Sequence, residues 1–235
     1  MSPVDSIGSL LKTSKYFGRG IALGTAPDGR AVYAYFISGR SENSRNRVFI
    51  PEDDGLIIKP FDESKVSDPS LIIYRPIRRA GNNLVVTNGD QTDTVVDFLE
   101  NGKTFEEALR TRTYEPDAPN CTPRISGIMD FDGKYSYKLS ILKRSGKTSG
   151  AAVRQFFEYE AEEGVGHFIS TYDSDGEPLP SFTGEPRRIA IPEEPSEFVS
   201  EIWDSLDADN KVSLAVGYID VKTGKTERII KNKNE

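Results

Sequence analysis

The sequence predicts an α+β fold with mostly antiparallel sheets. Many short runs of β-branched and aromatic residues are separated by Gly, Pro, Asn and Asp turn signals, which is typical of strands in hairpin order. Few stretches have helical periodicity, and they interrupt the strands instead of alternating with them. No internal repeat or linker-like tract divides the 235 residues, so we expect one domain, large enough to fold without disulfides.

The clearest strand signals form two hairpins. Residues 20–25 and 31–37 flank the turn Ala26-Pro27-Asp28-Gly29. Residues 212–221 and 226–230 flank Lys222-Thr223-Gly224-Lys225. The other predicted strands are residues 48–50, 56–59, 71–75, 84–86, 125–129, 135–142, 156–159 and 166–172.

Four helices are predicted. A short helix within the first fourteen residues, with Ile7, Leu10 and Leu11 on one face, looks like an appendage to the core. A second helix covers residues 93–100 and stops at Asn101-Gly102. A third begins at the capping box formed by Thr104 and Glu107 and extends to about residue 112. A fourth covers residues 195–206 and should lie on a sheet.

Composition excludes several classes of function. The single cysteine, Cys121, rules out an internal disulfide, and with a single histidine, His167, no Cys/His zinc site can form. A net charge of −7 argues against nonspecific nucleic-acid binding. No window approaches a membrane span, and the N-terminus does not resemble a secretory signal, so we expect a cytoplasmic protein without a membrane partner.

Two polar segments follow predicted strands. Residues 38–47 contain three arginines in an acidic chain and form either a solvated loop or an anion site, since guanidinium groups match phosphate oxygens. Residues 85–93 form a glycine turn before a helix that begins near Thr92 or Asp93. Their polar groups, which include Asn88 and Asp93, exceed what one helix cap requires.

Two further polar segments come later in the chain. Residues 114–124 contain three prolines, which make a stiff mount for Glu115, Asn120, Thr122 and Arg124. In residues 166–186 the only histidine lies on an aromatic strand, where a packed histidine is a commoner outcome than a catalytic one.

Together these segments resemble the archaeal-type IMP cyclohydrolase family, which also has bacterial members. The residues that carry the resemblance are Tyr16-Phe17-Gly18-Arg19, Ile37-Ser38-Gly39-Arg40-Ser41, Asn46-Arg47, Val85-Val86-Thr87-Asn88-Gly89, Thr92-Asp93, Tyr114-Glu115, Asn120, Thr122-Pro123-Arg124-Ile125, Ile169-Ser170-Thr171-Tyr172, Pro180-Ser181-Phe182 and Gly184-Glu185-Pro186. The shared order of these motifs from about residue 16 to 190 is more specific than any one of them.

The resemblance implies a four-layer αββα sandwich like that of the N-terminal-nucleophile hydrolases. It also implies ring closure of 5-formamidoimidazole-4-carboxamide ribotide to IMP, without a cofactor. The single His, the single Cys and the absence of a spaced carboxylate motif predict that no metal is needed. Residues 1–15 precede the family core, so the expected organisation is an N-terminal extension followed by a single catalytic domain over residues 16–235. The expected partner is a small purine ribonucleotide. A homo-oligomer is compatible with a site built from loops.

The chemistry of ring closure suggests a role for each candidate residue. Glu115 and Tyr74 are the candidates for proton transfer, although Tyr74 fits a core or edge tyrosine equally well. The phosphate and ribose clamp consists of Arg40, Asn46 and Arg47. Asn88 and Asp93 would bind polar edges of the substrate. Asn120, Thr122 and Arg124 would hold the carboxamide and formyl arms.

Two alternatives remain open at the level of sequence. One is a hydrolase of another amide or cyclic amide on the same fold, which would need Cys121 or Ser2 as nucleophile. The other is a nonenzymatic purine-nucleotide-binding protein, which would keep the arginine clamp but tolerate the loss of Glu115.

Overall fold

The computed structural model describes residues 4–53, 55–66, 73–146 and 150–234, and its architecture is α+β with two antiparallel sheets. The strands are β1 (Arg19–Thr25), β2 (Ala31–Ser38), β3 (Val48–Glu52), β4 (Gly55–Lys59), β5 (Ile77–Ala80), β6 (Asn83–Thr87), β7 (Arg124–Asp130), β8 (Ser136–Arg144), β9 (Ala152–Glu160), β10 (Val165–Ser170), β11 (Arg187–Ala190), β12 (Lys211–Ile219) and β13 (Thr226–Asn232). The helices are α1 (Ile7–Leu11), α2 (Glu42–Arg45), α3 (Gln91–Glu100), α4 (Phe105–Arg110) and α5 (Pro195–Ser205).

The two sheets differ in how the chain visits their strands. The first has the order β11-β10-β1-β2-β12-β13, so distant parts of the chain meet in it. The second runs β3 to β9 in chain order, with each strand antiparallel to the next. Both predicted hairpins are confirmed: Thr25 pairs with Ala31, and Ile219 pairs with Thr226.

The sheets pack face to face, and helices cover their outer faces. Alternate residues of β2 separate the layers: Tyr35 points into the core between the sheets, whereas Phe36 points outward. The outer face of the first sheet packs against α5 and α1 through residues such as Phe198 and Ile7. The outer face of the second sheet packs against α3 and α4. The layer order is therefore helix, sheet, sheet, helix.

Helix ends follow local chemistry in two of the predicted cases. Gly102 has a φ of 70° immediately after α3, as expected of a residue that ends a helix. The capping box is confirmed: the Thr104 hydroxyl accepts from the Glu107 amide, and the Glu107 carboxylate accepts from the Thr104 amide. Helix α4 ends at Arg110, earlier than predicted.

The start of α3 differs from the prediction. The helix begins at Gln91, and its N-cap residue, Asp90, makes no side-chain cap hydrogen bond. The Asp90 carboxylate is bound instead by Arg112 and Arg124. Charge-assisted bonds to two guanidinium groups are stronger than a cap, so they determine where this side chain points.

The predicted strand at residues 71–75 is the main error among the strands. Residues 71 and 72 lie outside the described residues, and residues 73–75 are not in a strand. The Tyr74 carbonyl still accepts from Ile58 N, so the segment lies beside β4, and the ladder resumes with β5 after Pro76. Strands β5 and β11 and helix α2 were not predicted, because all three are short and contain several polar residues.

The first described residues are packed on the outer layer. Asp5 N donates to the Arg188 carbonyl, and Ile7 and Leu11 are almost fully buried against α5. None of the helices in the described part of the chain is long and apolar enough to cross a membrane.

Candidate active site

A cavity of about 320 Å³ opens at one end of the sandwich, where β1 and β7 begin and β2 and β6 end. Segments from both sheets reach it, because these four strand ends lie at the same edge of the two packed layers. The described lining consists of Tyr16, Arg19, Arg40, Ser41, Asn43, Ser44, Arg47, Tyr74, Asn88, Gly89, Asp90, Glu115, Asp117, Asn120, Thr122, Arg124, Tyr172 and Leu179.

The structure brings most of the predicted site residues to this cavity. Those that line it are Tyr74, Glu115, Arg40, Arg47, Asn88, Asn120, Thr122 and Arg124. They come from segments far apart in the chain, which supports the expectation that the polar segments share one site.

The other two predicted residues, Asn46 and Asp93, do not line the cavity. The Asn46 side chain donates to the Asp62 carbonyl and accepts from the Asp62 amide, both at 2.8 Å, so it fixes a loop. Asp93 lies on α3 and pairs with Arg78 at 2.6 Å. Sequence proximity to Arg47 and Asn88 suggested both roles, but each side chain is directed to a neighbour outside the cavity.

Two neighbouring arginines, Arg19 and Arg47, line the cavity. Arg47 is only 6% exposed, and burial together with the nearby Arg19 guanidinium lowers the pKa of Arg47. Arg19 Nη1 donates to the Ser38 carbonyl at 3.3 Å, and within the described residues its Nε has no hydrogen-bond partner. Two guanidinium groups close together repel each other, so an anion between them would be attracted to both.

Gly18 allows the backbone to place Arg19 at the cavity. Its φ of 73° lies in the left-handed region, and a Cβ there would stand 2.2 Å from Thr171 Oγ1. Glycine therefore allows β1 to begin tight against residue 171 with Arg19 at the cavity.

Arg40 lies at the exposed rim of the cavity. Its Nη1 pairs with Asp175 at 2.8 Å, and its guanidinium group lies 5.0 Å from the centre of the Tyr16 ring. Tyr16 in turn stacks on Tyr172, with 5.9 Å between ring centres. These contacts hold Arg40 beside an aromatic wall of the cavity.

Glu115 is the carboxyl group with the electrostatics of a proton-transfer residue. Burial raises its pKa above the usual range, although Arg124 and Arg19 oppose this shift. The nearest guanidinium nitrogen of Arg124 is 3.9 Å away, and the Glu115 amide donates to the Thr122 carbonyl at 2.9 Å. A carboxyl with a raised pKa exchanges its proton closer to neutral pH, as acid–base catalysis requires.

Arg124 and Asn88 hold the floor of the cavity together. Arg124 Nη1 donates to Asp90 at 2.7 Å and to Gln91 at 2.6 Å. The Asn88 side-chain oxygen accepts from Gln91 Nε2 and Ile125 N, both at 2.9 Å. Both side chains therefore brace the turn before α3 against the start of β7.

Tyr74 belongs to both the core and the cavity. It is 8% exposed, packs in the core between the sheets and also lines the cavity. Its phenol oxygen is 2.9 Å from that of Tyr35, whose pKa burial raises well above its usual value. Tyr35 therefore stays neutral at physiological pH and provides Tyr74 with a fixed hydrogen-bond partner.

Thr122 is tied into a short chain of side chains. Its hydroxyl is 2.5 Å from Asp117 Oδ2 and 2.8 Å from the Tyr172 phenol oxygen. Cys121 beside it has a φ of 47°, which is unusual for a non-glycine residue. The stiff loop predicted at residues 114–124 thus holds Thr122 in one orientation.

The other end of the sandwich contains a second cavity, and its Arg228 side chain is bound by the protein itself. The Arg228 side chain donates to the Tyr33 phenol at 2.9 Å and to the Gly55 carbonyl at 2.5 Å. His167 does not line the candidate site: it stacks on Tyr159 at 3.6 Å and bonds the Tyr137 phenol. The interpretation of His167 as a packed histidine is confirmed.

The sequence profile of one protein family, described as IMP cyclohydrolase-like protein, matches residues 16–225. The chain belongs to this family.

Curated relatives of the chain are archaeal proteins named IMP cyclohydrolase. The protein from Methanococcus aeolicus is 26% identical over 210 residues, covering 87% of this chain and 96% of the relative. The protein from a Methanococcus maripaludis strain is 30% identical over 164 residues, covering 68% of this chain and 75% of the relative. The protein from Methanopyrus kandleri is 37% identical over 119 residues, covering 49% of this chain and 59% of the relative.

These matches confirm the family resemblance, and the profile reaches further toward the C-terminus than the motifs did. Sequence reasoning assigned no role to Tyr16, Arg19, Asp117 or Tyr172, all of which line the cavity. The available signal for Arg19 was a charged residue between two glycines at the start of an apolar strand.

Proposed function

We propose that this protein catalyses the dehydrating ring closure of 5-formamidoimidazole-4-carboxamide ribotide to IMP. Membership of the family and the curated relatives support this reaction. The observation within the structure that carries it is the cavity itself, in which Glu115 with its raised pKa lies among Arg19, Arg47 and Arg124. This arrangement suits an anionic substrate that must gain and lose protons.

We further infer that the four layers correspond to the αββα sandwich of the N-terminal-nucleophile hydrolases. The order of the layers and the antiparallel sheets support this relationship. The proposed reaction does not use the nucleophile of those enzymes, since fold does not imply function. The catalytic unit is proposed to be residues 16–235, with residues 1–15 as an extension.

Ring closure adds the carboxamide N–H across the formyl C=O. A nitrogen–carbon bond forms and the formyl oxygen becomes a hydroxyl. This carbinolamine then loses one water, made of that hydroxyl and one proton from a ring nitrogen, and a carbon–nitrogen double bond forms in their place. Because the reaction is intramolecular, the enzyme must mainly hold the two arms as near-attack rotamers. The sequence of bond changes is neither oxidative nor reductive, so the proposed reaction needs no cofactor.

The residues of the cavity can meet each requirement. Glu115 is proposed to move protons at the attacking nitrogen and the departing oxygen, and Tyr74 to assist through its phenol. Arg40 and Arg47 would bind the phosphate end, and Arg19, which lies beside Arg47, would add to that charge. Asn120 lines the same cavity and would hold the carboxamide and formyl arms. Arg124 and Asn88 would act mainly by bracing the floor, since several of their polar groups are already bonded.

The alternative of an amide hydrolase is less well supported. Cys121 is 8% exposed, and it is not among the residues that line the cavity. Ser2 lies outside the described residues. A nonenzymatic binding protein would use the arginines of the cavity but would have no role for Glu115.

One experiment separates these functions. The purified protein is incubated with the formamido ribotide while the absorbance of IMP is followed, and binding of IMP is measured separately by calorimetry. Turnover that survives thiol alkylation of Cys121 supports the proposal. IMP binding without turnover would favour a nonenzymatic role, and loss of turnover on alkylation would favour the hydrolase.

A further inference from the structure

Three side chains at the cavity form a hydrogen-bonded chain with a fixed direction. Thr122 Oγ1 lies 2.5 Å from Asp117 Oδ2 and 2.8 Å from the Tyr172 phenol oxygen. An ionised carboxylate can only accept hydrogen bonds, and a threonine hydroxyl has a single proton to donate. That proton is directed to Asp117, so the Tyr172 phenol must be the donor in its bond with Thr122.

The direction of this chain determines what Tyr172 offers to a ligand. Within the described residues, Thr122 is the only hydrogen-bond partner of the Tyr172 phenol, and Tyr172 lines the cavity. Its single proton is committed to Thr122, so the phenol oxygen has only acceptor capacity left. Burial raises the pKa of Tyr172 to about 12, so the phenol keeps this proton at physiological pH.

The location of Tyr172 indicates which part of the ligand it meets. Its ring stacks on Tyr16, and the same Tyr16 ring lies beneath the Arg40 guanidinium. Under the proposed function Arg40 binds the phosphate end, so the group next to it is the ribose. The ribose offers hydroxyl groups that can donate hydrogen bonds.

We propose that Asp117, acting through Thr122, fixes the Tyr172 phenol as a hydrogen-bond acceptor for a ribose hydroxyl of the nucleotide. Tyr172 is then a binding residue, and Asp117 and Thr122 are positioning residues. The inference rests on the proposed function, because it takes the ligand to be a purine ribonucleotide.

The variant Asp117→Asn tests the direction of the chain. Asp117 Oδ1 accepts from the Thr122 amide at 2.6 Å, so an asparagine oxygen stays there and its NH₂ group faces the Thr122 hydroxyl. Thr122 must then accept from that NH₂ and donate to Tyr172, whose own proton turns toward the cavity. The same three side chains would present a donor to the ribose hydroxyl.

The binding of IMP is measured by calorimetry at pH 8. The pH is the same for every variant, because the Asp117 charge contributes to the raised pKa of Glu115. Tyr172→Phe should weaken binding about 2- to 10-fold, the loss of one neutral hydrogen bond. Asp117→Asn should weaken it about 10- to 100-fold, because a buried donor is left facing the ligand. The double variant, which combines Asp117→Asn with Tyr172→Phe, should bind as tightly as Asp117→Asn alone or more tightly. The reason is that Tyr172→Phe removes the phenol that would otherwise face the ligand as a donor.

Two controls guard against simple misfolding. Thr111→Val, at a threonine outside the cavity, should bind IMP like the wild type. Thr122→Val breaks the chain and should bind more weakly than Thr122→Ser, which keeps the hydroxyl. In the ring-closure assay, Tyr172→Phe should raise KM with little change in kcat, since the ribose does not react.

The possible results are distinct. The inference is overturned if the losses of IMP affinity in Asp117→Asn and Tyr172→Phe multiply in the double variant. It is also overturned if Thr122→Val binds IMP as tightly as the wild type. If the wild type itself neither binds IMP nor closes the ring, the proposed function fails instead. If the wild type closes the ring but the losses of IMP affinity multiply, only the proposed chain of Asp117, Thr122 and Tyr172 is refuted.

Discussion

The pKa values of single residues in the cavity depend on burial and on neighbouring charges. Glu115 is surrounded by arginines, yet burial outweighs their attraction and raises the pKa of its carboxyl group. The pKa of Arg47 is shifted in the opposite direction, because burial and the neighbouring Arg19 lower it. The cavity therefore combines a carboxyl group that takes up protons readily with a strong demand for an anion.

Replacing Glu115 should affect the chemical step. Glu115→Gln keeps the size and some hydrogen bonding but cannot transfer a proton, so kcat should fall about 10²- to 10⁴-fold while IMP still binds. Glu106→Gln is a matched control, because Glu106 is a partly buried carboxylate that pairs with Lys138 away from the cavity. Near-normal kcat in Glu115→Gln would remove Glu115 from the chemistry.

Replacing the arginine clamp should affect binding instead. The phosphate end does not react, so Arg40→Ala and Arg47→Ala should raise KM about 10- to 150-fold with little change in kcat. Arg45→Ala is the control, because Arg45 lies in the same segment but bonds Gly39 and Asn210 outside the cavity. Unchanged KM in both clamp variants would refute their role.

The side chains that line the cavity could be predicted only where the neighbouring sequence fixes the local backbone. The prolines around Glu115 and Thr122 indicated a rigid loop, and both residues line the cavity. Asn46 and Asp93 are next to cavity residues in sequence, but Asp62 and Arg78 bind them elsewhere. Those partners lie 15 or 16 positions away along the chain, so no local pattern reveals them.

At the level of elements, the best-predicted boundaries are those with their own hydrogen bonds. The capping box at Thr104 needs only residues within four positions, and the turn at Asp28-Gly29 sets the register of β1 on β2. Strands β5 and β11 were missed because their arginines hide the alternation. Their place depends on β4, β6 and β10, which are separate in sequence.

The capping box provides an element-scale prediction. Thr104→Ala removes the acceptor for the Glu107 amide and should lower the free energy of unfolding by about 1 kcal/mol. Thr104→Ser should retain most of the stability. Because Thr104 does not line the cavity, kcat and KM should stay at their wild-type values. Equal urea unfolding midpoints for the wild type and Thr104→Ala would contradict this account.

Helix α1 should stabilise the fold without taking part in the reaction. Ile7 is fully buried against α5, so Ile7→Ala should cost about 2–5 kcal/mol in unfolding free energy. Leu10→Ala is the matched control, because Leu10 on the same helix is only partly buried and should cost less. Equal losses for the two variants, measured by urea denaturation, would show that α1 is not packed in this way.

For the whole molecule, the decisive feature is how the two sheets meet. The sequence indicated mostly antiparallel strands, but the first sheet pairs β1 with β10 and β2 with β12, which are separated by most of the chain. These pairings, with β1 against β7 across the layers, bring Arg19, Arg124 and Tyr172 to one cavity. Hydrophobic periodicity predicts strands but not their order, so the cavity could only be expected from the family resemblance.

The space between the sheets also holds the single histidine, which yields a prediction for the molecule as a whole. Burial, with a smaller effect of Arg188, lowers the pKa of His167 to about 4. In the unfolded chain a histidine titrates at about 6.5. The unfolded state therefore binds the proton more readily between these values, and stability rises with pH in this range. The contribution is complete above about pH 6.5 and is lost as the pH falls toward 4.

Because the chain has one histidine, its ring resonances in an NMR titration report His167 alone. We expect a midpoint near pH 4 for the folded protein. Thermal unfolding of His167→Gln should then depend less on pH between 6.5 and 4 than that of the wild type. The carboxylates also titrate in this range, so only the difference between the two proteins measures the histidine. A midpoint near 6.5 in the folded protein would mean that the stack on Tyr159 and the bond to Tyr137 do not exclude the charged ring.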